Sequence, residues 1–154
     1  MNMRRLSASL TENHWDLRGY AASLVSHISN TYGHLYPTLT PRVAKTLLKA
    51  FLDPSKALST QYGAIVGLWG LGAQVQETLI LPNLKVYGEG LRGKCKSADA
   101  NEQAEARRVL DRMVVLLREY VERTRQDLSV TPVAEREYRA QFGIFAEGVF
   151  AARG

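Results

Sequence analysis

The sequence has one cysteine, Cys95, in 154 residues. A single thiol forms no intrachain disulfide, which excludes the small disulfide-stapled scaffolds and suits a reducing compartment, cytosol or nucleus. Long hydrophobic runs are missing too. The most apolar run, Ala64 to Leu71, is far short of the roughly 20 residues that cross a bilayer, so no membrane association is expected. The opening Met-Asn-Met-Arg-Arg is not followed by the apolar segment of a secretory leader. No stretch alternates apolar and polar residues between turn signals, so no strand is predicted.

Catalytic patterns are equally thin. His14, His27 and His34 have no zinc-site spacing with the lone cysteine or the carboxylates. There is no Gly-x-Ser-x-Gly elbow, and Cys95 has no evident base partner. Gly88 to Lys94, GEGLRGK, matches the letters of a phosphate-binding loop. Such a loop needs a buried strand before it, a helix after it, and a hydroxyl next to the lysine. Here a helical pattern precedes the glycines and Cys95 stands in the hydroxyl position. No enzyme activity, cofactor, metal or small-molecule substrate is expected.

What is present is helical periodicity. From His14 onward Trp15, Leu17, Ala21, Leu24, Val25 and Ile28 follow helical spacing, with Asn13 as cap and Gly33 as stop. Thr40-Pro41 starts a second helix, which exposes Arg42, Lys45 and Lys49 and ends at Asp53-Pro54. The central stretch Ser59 to Leu84 begins with Ser59 or Thr60 as cap and holds Gly63, Gly67, Gly70 and Gly72. Glycine inside a helix costs about 1 kcal/mol against alanine. Its repetition predicts close helix approach, with Tyr62, Gly63 and Gly67 as the packing signature. Helices over about 73–81 and 83–91 follow, broken by Pro82. After a polar linker, 92–100, a long helix runs to about Leu128, and Thr131-Pro132 opens a last amphipathic segment.

The predicted class is all-α: about three stacked antiparallel helix pairs over 14–53, 59–91 and 101–150, as in HEAT or armadillo solenoids, or else an irregular helical bundle. The expected organisation is a flexible lead-in at 1–12, helical repeats over 13–91, a linker at 92–100 and a C-terminal helical hairpin over 101–154. Charge divides unevenly. Residues 1–96 carry 11 Lys/Arg against 5 Asp/Glu, and residues 97–154 carry 9 against 10. The stripe Arg42, Lys45 and Lys49, extended by Lys56, has three readings: a face for nucleic-acid phosphates, a dock for an acidic protein segment, or a solvated surface.

Several stretches together resemble a known family: Asn13 to Arg18 (NHWDLR), Thr40 to Leu47 (TPRVAKTL), Asp53-Pro54, Thr60 to Leu68 (TQYGAIVGL) and Leu79 to Leu84 (LILPNL). Their order and spacing are similar to the C-terminal HEAT-repeat domain of subunit 6 of the general transcription factor TFIID, related to a subunit of the SAGA coactivator. The resemblance covers about 13–91, and the family's N-terminal histone fold has no counterpart in it. It implies a HEAT-repeat fold and a nuclear, non-catalytic scaffold. The implied partners are other TFIID or SAGA subunits, with promoter DNA as a further one. The competing expectation is a direct DNA-binding domain using Arg42, Lys45, Lys49, Lys85 and Arg92.

Overall fold

A computed structural model describes residues 3–129 and 131–151, and of residues 3–14 the helical backbone alone. Every regular element among the described residues is helical, as the periodicity predicts. No helix among them is long and apolar enough to cross a membrane. The chain divides into two compact units, Met1–Gln76 and Glu77–Gly154.

The first unit contains α1 (Met3–Tyr32), α2 (Leu39–Leu52), α3 (Leu58–Gly70) and the single turn α4 (Ala73–Val75). Helix α3 is its centre and packs against both α1 and α2. Ala64, Ile65, Val66, Leu68 and Trp69 are all buried, so this helix is covered nearly all round, as an apolar helix must be in water. A methyl group added at Gly67 would stand 3.0 Å from Leu47 Cδ1 and 3.7 Å from Ala22 Cβ. At Gly70 it would stand 2.6 Å from Ser26 Oγ. The space saved lets α1 side chains reach α3 carbonyls. Ser26 Oγ donates to Gly67 O at 2.7 Å, and Asn30 Nδ2 donates to Gly70 O at 3.0 Å. At Gly63 an added methyl meets nothing within 4 Å among the described residues. The close approach expected at Gly63 and Gly67 therefore lies at Gly67 and Gly70. Tyr62 packs edge-on against Trp15, ring centroids 4.8 Å apart.

This seam sets the orientation of α1. Its buried residues are Trp15, Ala22, Ser26 and Ser29, at seven-, four- and three-residue intervals on one face. Of the apolar set at helical spacing, Trp15 is buried, whereas Leu17, Leu24, Val25 and Ile28 are 65%, 45%, 39% and 44% exposed. The reason is steric. A partner stripped to glycine brings the backbones so close that only small residues fit between them. Leu17, Leu24, Val25 and Ile28 are left on the other side, while Trp15, nearer the start of α1, is buried against Tyr62.

Other boundaries also move. Helix α1 is already formed at Met3, inside the stretch expected to be a lead-in. Thr40 does not cap α2, which starts at Leu39; its hydroxyl meets that of Ser29 at 2.8 Å. Helix α3 starts at Leu58, before Ser59 and Thr60, with no side-chain cap. In place of a helix over 73–81, α4 passes into a π-helical turn, Gln76–Ile80, and a 3₁₀ turn, Leu81–Asn83. Pro82 has no N–H to donate, and its ring crowds the carbonyl four residues back. Asn83 Nδ2 instead donates to Leu79 O at 2.7 Å.

The second unit contains α5 (Leu84–Cys95), α6 (Ala100–Gln126), α7 (Glu135–Phe142) and the single turn α8 (Ala146–Val149). The expected linker 92–100 shortens, because α5 continues to Cys95. Asp99 caps α6 by accepting from Asn101 N at 2.9 Å. Val109, Met113, Leu117, Tyr120 and Val121 are buried along one side of α6, whereas Leu128, beyond its end, is fully exposed. Helix α7 starts at Glu135 and not at Thr131-Pro132. Gly143, at φ +60°, turns the chain out of α7, a conformation that suits glycine. Phe142 and Phe145 are fully buried, and Phe142 stacks with Tyr138 at 5.4 Å and Phe150 at 6.3 Å.

Candidate interaction surface

Side chains of α1 and α2 enclose an open groove of about 790 Å³. Val25, Ile28 and Tyr32 line it from α1; Leu39, Val43 and Leu47 line it from α2. Tyr36 and Thr38, from the connecting turn, also line it. These residues lie there because the glycine seam has turned α1. Positions 22 and 26 face α3, position 29 meets Thr40 of α2, and the row 25, 28 and 32 is left on the groove. Leu17 and Leu24 continue the same apolar face toward the start of the helix, eleven and four residues before Ile28. Exposed large apolar side chains therefore form a continuous strip, the pattern that marks interaction surfaces on soluble proteins.

The basic stripe stands on this groove. Arg42 and Thr46 belong to its lining. Lys45 and Lys49, three and seven residues on from Arg42, share its side of α2. All three cations are exposed, and none is within salt-bridge distance of a carboxylate among the described residues. From residue 17 to residue 52 the sequence holds no Asp or Glu, and no lining residue is acidic. The field at the groove is thus positive without local compensation.

Lys56 stands apart from that row, in the loop after α2. Gln61 Nε2 fixes this loop by donating to Asp53 O at 3.1 Å and to Lys56 O at 3.3 Å. Beside it, the Asp53 carboxylate accepts from the Ser55 hydroxyl at 2.6 Å and the Ser55 N–H at 2.9 Å. These bonds, with a smaller contribution from Lys56, hold the Asp53 carboxyl below its ordinary range. Lys85 and Arg92, counted in the DNA-binding expectation, belong to α5 of the second unit.

The glycine-rich run 88–94 lies wholly inside α5, and the chain enters it from a 3₁₀ turn. Its N–H groups serve the helix and form no phosphate cradle. Gly88 makes room for the core instead: an added methyl would meet Ile144 at 3.0 Å and Phe145 at 3.3 Å. Cys95 is half-buried, and burial, the leading cause, raises its thiol pKa, the opposite of nucleophile activation. Among the described residues no three His, Cys, Asp or Glu side chains are grouped to hold a metal.

A family model described as the TAF6 C-terminal HEAT repeat domain matches residues 1–85, more than half of the chain. The chain belongs to this family. The match includes residues 1–12, which the resemblance over 13–91 leaves out. Among curated proteins, the Transcription initiation factor TFIID subunit 6b of Arabidopsis thaliana is 48% identical over 84 residues, 54% of this chain and 16% of that protein. The SAGA complex/transcription factor TFIID complex subunit Taf6 of Schizosaccharomyces pombe is 40% identical over 109 residues, 69% of this chain and 24% of that protein. A mouse TAF6-like RNA polymerase II p300/CBP-associated factor-associated factor 65 kDa subunit 6L is 39% identical over 89 residues, 56% of this chain and 14% of that protein. The chain thus spans a quarter or less of the length of these relatives. The HEAT-repeat class expected for this TAF6-type chain agrees with the family and with the helical architecture.

The sequence reading placed Arg42, Lys45 and Lys49 on one exposed face, and it missed the groove beside them. Nothing in the sequence marks Tyr32, Tyr36 and Leu39, and the helical spacing of Val25 and Ile28 does not say which side of α1 is covered. The signal was there in Gly19, Ala22, Ser26 and Ser29, a second periodic face made of small residues.

Proposed function

We propose that this chain is a non-catalytic interaction module of an RNA polymerase II transcription initiation complex of the TFIID type, working in the nucleus. The observation that carries the reading is the family match over residues 1–85, the stretch that contains the exposed groove and its basic lip. A scaffold of this kind acts by shape, through apolar anchors and a charged rim. Its proposed partners are other subunits of TFIID, or of SAGA, as the name of the fission yeast relative suggests. The test is affinity purification of the tagged chain from nuclear extract. Recovery of TFIID or SAGA subunits above a mock purification is expected, and recovery of neither contradicts the reading.

A second reading, direct binding of promoter DNA, is favoured by the uncompensated cations Arg42, Lys45 and Lys49. Phosphate contacts give a steep linear fall of log affinity with log salt, about 0.9 per phosphate neutralised. A duplex-binding titration at several salt concentrations decides it, and absence of binding at low salt removes it. The apolar floor beside these cations supports the protein partner.

A further inference from the structure

We propose that the α1–α2 groove seats an acidic amphipathic helix of a partner protein, its apolar ridge on the groove floor and its carboxylates along Arg42, Lys45 and Lys49. This proposal rests on the scaffold reading and names the chemistry of the partner. Three features of the groove select the occupant. The floor is apolar, from Val25 and Ile28 across to Val43 and Leu47, so the occupant brings apolar side chains. A nucleic-acid backbone, charged and hydrated, gains nothing from such a floor.

The lip is positive without compensation. Three cations lack a carboxylate partner among the described residues, and residues 17–52 contain none. A second copy of the same face would set like charges against like, an arrangement that costs affinity. An acidic segment is the complement.

Both walls are helices. Their backbone N–H and C=O groups are engaged within α1 and α2, and in the turn Tyr36 N donates to Tyr32 O and Leu39 N to Tyr36 O. An extended ligand would find no sheet edge to bond with and would bury unpaired backbone groups. A helix satisfies its own backbone and presents anchors at i, i+3 or i+4, and i+7. The lining rows Val25–Tyr32 and Leu39–Leu47 each run for about 10–12 Å at 1.5 Å per residue. Two to three turns of a ligand helix match that length.

The test uses the full 154-residue chain and fluorescein-labelled synthetic peptides of about four turns. The first carries Leu at i, i+3 and i+7 with Glu on the flanks. The second has Lys in place of every Glu, and the third has the leucines replaced by Ser. Fluorescence anisotropy is expected to show the Glu peptide binding at least about tenfold more tightly than either other peptide. Arg42→Glu/Lys45→Glu/Lys49→Glu is expected to reverse the preference between Glu and Lys peptides, and Ile28→Asp to abolish binding of the Glu peptide. Single Arg42→Glu, at an exposed position, weakens the Glu peptide and serves if the triple variant does not fold.

Equal binding of Glu and Lys peptides, no binding of the Glu peptide, or an unchanged preference in folded Arg42→Glu overturns the proposal. So does a dimer of the wild-type chain in sedimentation that Ile28→Asp dissolves, which assigns the groove to a second copy. Displacement of the Glu peptide by duplex DNA, with DNA affinity unchanged in Ile28→Asp, assigns the lip to phosphates. If the peptide experiment fails while nuclear extract still yields TFIID or SAGA subunits, the scaffold reading stands and the groove proposal alone falls.

Discussion

In the first unit, α1 and α3 meet through Ala22, Ser26, Gly67 and Gly70. In the second, the core is built from Tyr138, Phe142, Phe145 and the apolar side of α6. The first seam is narrow at Gly67 and Gly70: a hydroxyl and an amide reach backbone carbonyls across it, and Leu17, Leu24, Val25 and Ile28 stand outside. The second is wide and filled with stacked rings, and its glycines at 88 and 148 accommodate neighbouring side chains. The contrast teaches that apolar residues at helical spacing mark the core only when the partner helix leaves room for them. In the first unit the same pattern marks an outer face.

Truncation probes that contrast most strongly. Phe142→Ala is expected to lower stability by about 3–5 kcal/mol, the cost of emptying a buried aromatic site. Leu24→Ala, on the outer face of α1, is expected to change it by less than about 0.5 kcal/mol. Urea unfolding followed by circular dichroism compares the two. Gly67→Leu is expected to cost about 1–3 kcal/mol by overpacking the narrow seam against Leu47 and Ala22. Trp15 and Trp69 are the chain's two tryptophans and both lie in the first unit, so fluorescence reads that loss where it occurs.

Ser26→Ala is expected to cost about 0.5–1.5 kcal/mol through the lost bond to Gly67 O, in the same fluorescence assay. Glycines then sharpen the comparison by sign. Gly63→Ala meets open space in a helix and is expected to stabilise by up to about 1 kcal/mol. Gly148→Ala is expected to destabilise, because its methyl would stand 2.7 Å from Val114 Cγ2 and 3.1 Å from Cγ1. Paired thermal melts distinguish the signs.

The smallest effect is shared by both units. Asp53 and Asp127 each end a long helix and accept from the hydroxyl and N–H of a serine two residues on. Both carboxyls are held below 3.8, first by the serine hydroxyl and then by its N–H. The sign follows from the lowered folded value: their stabilisation is complete above 3.8 and is lost as pH falls through the folded pKa. Asp127 is exposed and Asp53 partly so, and water screens both, so the loss is slight. Denaturation at pH 5 and below pH 3 is expected to show a shallower acid loss in Asp53→Asn/Asp127→Asn than in the wild type.

Much of the fold was legible in the sequence. Helical spacing, the stop at Gly33, the buried central helix and the interruption at Pro82 all follow from local rules. Helix starts were less so, because Thr40 and Ser59 fit a cap by residue type while the structure uses them otherwise. The outer face of α1 was hidden for a different reason. Leu17, Leu24 and Ile28 make as good a stripe as Trp15, Ala22 and Ser26, and local periodicity does not say which one α3 meets. That choice depends on Gly67 and Gly70, about 40 residues away. The basic residues at 42, 45 and 49 were visible; the apolar floor beside them was not, because it is a product of the seam.

The orientation of α1 is the claim on which groove and partner both depend. In a Cys95→Ser background, single cysteines placed at positions 22, 26, 24 and 28 can be timed in their reaction with a thiol reagent under native conditions. Positions 24 and 28 are expected to react within about tenfold of the unfolded-chain rate, and positions 22 and 26 at least about a hundredfold more slowly. Protection at 24 and 28 with free reaction at 22 and 26 would contradict the account, returning the large apolar residues of α1 to the core and leaving no groove to fill.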